Sequence, residues 1–198
     1  MCGRFWLEGE IEDIAKYFGI NKIEDKEFTK GEIFPTNFAP IITKTVDKNS
    51  KDVDKLITPF KWGFPFQNKS IINARAETID IKPFFKNSFY NRRCLIPASA
   101  FFEWKKEDRS KTKYKIYKDE KYLLLGGIYN ENSFVIITTQ PNEEMSRIHD
   151  RMPLIIDKDK MDYWLFGDIE DAKHIININT NNKLIFTPQT EGQLKFLF

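Results

Sequence analysis

Between residues 93 and 139, five short runs rich in aromatic and β-branched residues follow one another with only polar turns between them: 93–97, 101–105, 113–118, 122–129 and 134–139. That spacing predicts a meander of short, mostly antiparallel strands. Within it, Tyr114 and Ile116 alternate with Lys113 and Lys115, which gives one buried and one wet face, as at the outside of a curved sheet. Upstream, Ile11, Ile14, Ala15 and Phe18 recur at helical spacing and Gly19 ends the helix. Residues 56–62 and 71–77 read as strands, and the charged stretch 43–55 reads as an exposed loop between strands. Residues 142–148 and 157–166 read as short helices, the second with Asp157 as its N-cap. A polar tail with a last apolar strand near 184–186 closes the chain. The expectation is one α+β domain over residues 1–198, built on a curved, mostly antiparallel, barrel-like sheet with short flanking helices.

A chain of 198 residues with 18 Phe and 4 Trp has enough apolar volume for a core of its own. No basic segment followed by an apolar run opens it, and no run of 18 apolar residues occurs, so a cytoplasmic protein without a membrane span is expected. Thirty-one basic residues against 29 acidic ones leave a net charge of +2, so any polyanion must be held by a local basic face. Cys2 and Cys94 are expected as free thiols. Two Cys and two His without close ligand spacing give no zinc site, and no metal is expected.

Cys2 is the residue with unusual chemistry. Loss of Met1 would leave it with a thiol and a free α-amine, and an α-amine titrates near ~7.8 where a lysine titrates near ~10.4. Such an amine attacks aldehydes, and the thiol beside it can close the imine into a five-membered thiazolidine. Alternatively, the thiol acts alone on an acyl carbon. On its own, Cys2 reads first as a small buried residue near the start of the chain.

Three segments place ionisable groups among apolar ones: 73–78, 100–104 and 149–153. Glu103 sits between Phe102 and Trp104; facing inward it would have a raised pKa suited to moving protons, and facing outward it would be an ordinary surface carboxylate. His149 is followed by Asp150 and Arg151. Arg4, Arg75 and Arg151 stand in apolar segments and call for anionic partners, either phosphate or internal carboxylates such as Glu77 and Asp150; the residues alone lean toward the internal pairing. The basic run from Lys105 to Lys115 is broken by Glu107 and Asp108 and reads as a solvated turn. Trp6, Trp62 and Phe64 are aromatic enough to stack on bases, but most aromatics must be core. Ser99 lacks a nucleophile elbow and Gly126-Gly127 lacks a nucleotide-loop fingerprint.

Six segments in order, Cys2-Gly3-Arg4-Phe5, Asn37-Phe38-Ala39-Pro40, Trp62-Gly63, 73–77, 93–98 with Phe102-Glu103-Trp104, and 149–153, resemble the SOS-response-associated peptidase (SRAP) family. The resemblance covers residues 1 to about 165, with Ala100 where the family often has Gly and Phe102 where it often has Tyr. It implies a protein that removes its own Met1 and crosslinks Cys2 to abasic sites in single-stranded DNA through a thiazolidine, with no metal or organic cofactor. It further implies that Glu103 shuttles protons, that His149 assists sugar ring opening, and that Asn73 holds Cys2 and the sugar. Arg4, Arg75 and Arg151 would meet phosphates, and Trp62 or Asn37 would line the groove. The partner would be single-stranded DNA bound by a monomer, in the cytoplasm or on the nucleoid, with lyase activity as a further possibility. The competing expectations are an N-terminal cysteine hydrolase acting on amide bonds and a non-catalytic single-stranded-DNA-binding module.

Overall fold

Gly19 adopts φ 67, a left-handed conformation that costs glycine little, and there ends the first helix, Ile11–Phe18. Ile11, Ile14, Ala15 and Phe18 point into the core, as their spacing requires. The computed structural model of the chain describes residues 2–24, 26–46, 53–107, 110–178 and 183–189.

The architecture is α+β, with mostly antiparallel sheets and short helices. Its strands fall into two main sheets. The first has five strands in the order Ile185–Gln189, Lys111–Tyr117, Ala100–Lys106, Arg4–Leu7 and Gly31–Ile33, every neighbour antiparallel. The second runs Met152–Pro153, Ser133–Thr139, Leu123–Tyr129, Arg93–Ala98, Phe38–Val46, Val53–Trp62 and Lys22–Ile23, with Ile155–Ile156 and Asn73–Arg75 paired at its side. Asn73–Arg75 lies parallel to Ser133–Thr139, in the register Asn73↔Ile136 and Arg75↔Thr138.

The chain passes from the large sheet to the small one at a single residue, Ser99, between the strands Arg93–Ala98 and Ala100–Lys106. The corner is pinned to the first strand: the Ser99 N–H donates to the Trp6 carbonyl at 2.7 Å, and its Oγ accepts the Glu8 N–H at 3.1 Å. Phe5 and Phe101, opposite each other in register, turn into one shared core with Trp62, Phe134 and Trp164. Cys2 and Cys94 are both free and fully buried.

Several elements differ from the sequence expectation. Strands Phe38–Val46 and Val53–Trp62 run well into the stretch expected as loop, pairing up to Val46↔Val53, while residues 47–52 lie outside the described residues. Residues 71–77 are not one strand: a short hairpin, Phe64–Phe66 with Lys69–Ile71, is followed by Asn73–Arg75 and a 3₁₀ turn at Ala76–Thr78. Gly63, at φ 116, permits that hairpin because a Cβ there would collide with Ser70. Asp157 makes no side-chain cap; its carboxylate accepts from Lys118 at 2.7 Å instead, and a 3₁₀ turn precedes the helix Met161–Phe166. The helices Pro83–Asn91 and Ile169–Ile178 were not expected. No helix among the described residues is long and apolar enough to cross a membrane.

Candidate active site

Alternation along Ala100–Lys106 decides which way Glu103 faces. Phe101 and Glu103 share the inner face while Phe102 and Trp104 share the outer one, and Glu103 is only 2% exposed. Burial pushes the Glu103 carboxyl above the usual carboxylate range. The Cys2 thiol is likewise pushed up, first by complete burial and then by the Glu103 carboxylate beside it. It donates weakly to the Arg4 carbonyl at 3.8 Å. The thiol is therefore neutral near pH 7 in the chain that carries Met1.

His149 closes the group from the large-sheet side, its Nε2 3.8 Å from Glu103 Oε2. Its other nitrogen has two competing partners. The Arg151 backbone N–H donates to Nδ1 at 3.0 Å, whereas Asp150 Oδ1, 2.9 Å away, would need a proton on Nδ1. Asp150 is 88% exposed and keeps its hydration, while the Arg151 N–H has this acceptor. The hydrogen-bond pattern thus assigns the neutral ring a proton on Nε2, the nitrogen that faces Glu103.

The segment carrying His149 is held by a bidentate ion pair. Arg151 donates to both oxygens of Glu77, at 2.5 and 2.9 Å, and to the Thr138 carbonyl at 2.6 Å. The hydrogen bonds from Arg151 draw the Glu77 carboxyl below its usual range. Thr138 belongs to the strand that pairs with both Asn73–Arg75 and Met152–Pro153, so one side chain ties three segments together. On the first of them, the Asn73 amide is buried, with neither its nitrogen nor its oxygen hydrogen-bonded among the described residues. A buried primary amide in that state is costly unless a ligand completes it.

The remaining expected groups divide. Arg75 is exposed. Arg4, one third exposed, lies 3.7 Å over the Phe34 ring and donates to Glu32 at 3.2 Å. Asn37 organises a turn: its Oδ1 accepts the Phe34 N–H at 2.9 Å, and its carbonyl accepts the Trp62 N–H at 2.8 Å. Two groups expected to meet DNA do not open to solvent. Trp62 is fully buried, stacked on Phe134 at 6.3 Å, with its indole N–H on the Ile72 carbonyl. Arg151 is sealed on Glu77, so the internal pairing holds there. Among the described residues no three His, Cys, Asp or Glu side chains group so as to hold a metal.

Sequence reasoning passed over Lys113 and Glu32. Lys113 is not in a solvated turn: it reaches back over the Phe102 ring, 4.0 Å from its centroid, to Glu32 Oε1 at 2.6 Å. The alternation with Tyr114 marked it as outward-facing; that its stem would lie along an aromatic row depended on the register Trp104↔Lys113.

The profile described as SOS response associated peptidase (SRAP) matches residues 1–190, extending into the tail left without a role. YoaM of Bacillus subtilis (strain 168), named an abasic site processing protein, is 39% identical over 188 residues, spanning 83% of this chain and 79% of its own. YedK of Escherichia coli (strain K12), named likewise, is 28% identical over 181 residues, spanning 85% and 81%. A crystal structure of a Bacteroides thetaiotaomicron protein superposes with TM-score 0.77 at 25% identity, covering 98% of this chain and 94% of that one. A Bordetella bronchiseptica structure gives TM-score 0.80 at 16% identity, covering 96% and 100%, and so shows the shared fold. A match across nearly all of the sequence, with its six motifs in order, means that the chain belongs to the SOS response associated peptidase family.

Proposed function

We propose that this chain processes abasic sites in single-stranded DNA by removing its own Met1 and joining Cys2 to the lesion as a thiazolidine. The observation that carries this reading is the neutral, buried Cys2 thiol beside a buried Glu103, itself faced by His149 Nε2 at 3.8 Å. An abasic deoxyribose in its open form presents an aldehyde. Water first hydrolyses the Met1–Cys2 bond and frees the α-amine. The amine nitrogen adds to the aldehyde carbon, and the carbinolamine loses one water to give an imine. The thiol sulfur then adds to the imine carbon, its proton passing to nitrogen, and the ring closes.

Each step moves a proton, and Glu103 is suited to that because its raised pKa keeps both protonation states within reach. His149, with its proton directed at Glu103, would relay protons to the sugar oxygen as the ring opens. Asn73 would give its unsatisfied amide to Cys2 or the sugar. Arg4 and Arg75 would meet the flanking phosphates and Asn37 would sit at the groove, while Arg151 positions the His149 segment through Glu77. A splayed, baseless sugar in a single strand reaches such a pocket with little unstacking. The names of YoaM and YedK support the substrate class.

Incubation with an abasic single-stranded oligonucleotide followed by a denaturing gel tests the reading. Wild-type protein should give a shifted band without reductant, whereas Cys2→Ala and Cys2→Ser should give one only after borohydride, because their amines form the imine but no sulfur closes the ring. Equal crosslinking by Cys2→Ala without reductant would overturn it.

A further inference from the structure

On the outer face of the five-stranded sheet, two cations from different strands converge on one oxygen. Arg4 Nη1 lies 3.2 Å and Lys113 Nζ 2.6 Å from Glu32 Oε1. Lys113 and Glu32 are only 18% and 17% exposed, so their attraction is less screened than that of a surface pair. Among the described residues neither cation pairs with a second carboxylate, so two positive charges face one negative charge and a unit of positive charge stays uncompensated. Around them the face is aromatic. Arg4 lies over Phe34, which is 39% exposed, Lys113 lies over Phe102, and both are 5.8 Å from the Trp104 ring. Phe102 itself is buried beneath Lys113, so the cations supply charge for a phosphate while the exposed Phe34 and the half-buried Trp104 supply π-surface for adjoining bases, the combination a single strand of nucleic acid requires.

We propose that Arg4 and Lys113 form a phosphodiester-binding cradle, and that Glu32 stands in it as an internal anion which an incoming phosphate displaces. The inference rests on the reading that the chain takes single-stranded DNA, and it adds Lys113 as a phosphate-binding group and Glu32 as a competitor that weakens binding to undamaged strands. Its link to the lesion is through Arg4, which is two residues from Cys2 along the chain. With Glu32 in place, a passing undamaged strand must displace a carboxylate to gain one phosphate contact, whereas a crosslinked strand meets the same displacement at high effective concentration, without the entropy cost of association. Lysine suits the exchange, since its flexible stem can carry the ammonium from Glu32 to a phosphate oxygen without moving the strand.

Competition and mere positioning predict opposite signs for loss of the Glu32 charge. The test is a salt titration of binding to an undamaged oligothymidylate, read by fluorescence anisotropy, with wild type, Glu32→Gln, Lys113→Gln and the double variant, each checked for folding by thermal unfolding. Glu32→Gln should bind about three- to tenfold tighter, with the slope of log K against log salt steeper by roughly 0.7, one released counterion contact on a single strand. Lys113→Gln should bind more weakly with a shallower slope, and Glu32→Gln should gain less in the Lys113→Gln background. Unchanged or weaker binding by folded Glu32→Gln would overturn the proposal. Crosslinking to an abasic strand, measured on the same proteins, separates the two claims. Absent crosslinking with tighter binding by Glu32→Gln would overturn the thiazolidine reading and leave the cradle standing, and intact crosslinking without the gain would do the reverse.

Discussion

His149 presents Nε2 to Glu103 Oε2 at 3.8 Å while its Nδ1 accepts the Arg151 backbone N–H, so the ring is oriented by its own loop and aimed at a buried carboxyl on the other sheet. In the proposed mechanism the two residues act together to move protons. Glu103→Gln should slow thiazolidine formation by about a hundredfold or more, and His149→Ala by about tenfold to a hundredfold, in single-turnover crosslinking assays. Asp150→Asn should change little, because Asp150 is exposed and does not set the tautomer.

Burial of Glu103 also has a stability signature with a defined sign. Its folded pKa is raised, so between the ordinary value near ~4.3 and that raised value the native state holds more proton than the unfolded chain. Stability therefore falls as pH rises through this window. Urea unfolding should show Glu103→Gln gaining on wild type as pH climbs above the ordinary carboxylate value, with a pH-independent difference below it. A constant difference across the range would contradict it.

The Glu77–Arg151 pair carries the opposite dependence. The Glu77 carboxyl is lowered by the Arg151 hydrogen bonds, so its contribution is present above the ordinary carboxylate value and is lost as pH falls through the lowered one. Glu77 is 42% exposed, which moderates the cost. Arg151→Ala should destabilise by about 1–3 kcal/mol near neutral pH and loosen the His149 segment. Crosslinking should slow while oligonucleotide affinity stays near wild type, a split that an anisotropy titration beside the crosslinking rate would read.

Much of the fold was legible because its signals were local. The Ile11–Phe18 helix follows from four apolar positions and one glycine, and the meander from 93 to 139 follows from β-branched and aromatic runs between polar turns. The Phe38–Val46 and Val53–Trp62 strands were cut short because their ends are charged, and a solvated hairpin end has the composition of a loop. Cys2, Glu103 and His149 stood out as candidates because ionisable groups there stand among apolar neighbours, and the structure brings the Cys2 thiol, the Glu103 carboxyl and His149 close together. Which face Glu103 occupies was not legible, since that depends on the sheet switch at Ser99. Nor was the fate of Arg151, Trp62 and Lys113, which is set by strands far apart in sequence.

One local strain was invisible for the same reason. Phe34 to Asn37 form a turn closed by the Asn37 N–H on the Phe34 carbonyl, with Pro35 second and Thr36 third at φ 75, the pattern of a type II turn. A β-branched residue is costly there, by roughly 1–3 kcal/mol. Thr36→Asn should raise stability by about 1 kcal/mol in thermal unfolding while leaving the Thr36 N–H bond to the Trp62 carbonyl. Destabilisation would mean that the threonine side chain repays its strain.

Intact mass of the protein after reaction with an abasic single-stranded oligonucleotide tests the central claim most directly. The predicted product has the mass of the chain without Met1 plus the oligonucleotide minus one water, and it survives denaturation without reductant. An adduct that retains Met1, or an equal adduct on Cys2→Ala, would contradict the thiazolidine, because neither has both the free amine and the thiol that the ring requires.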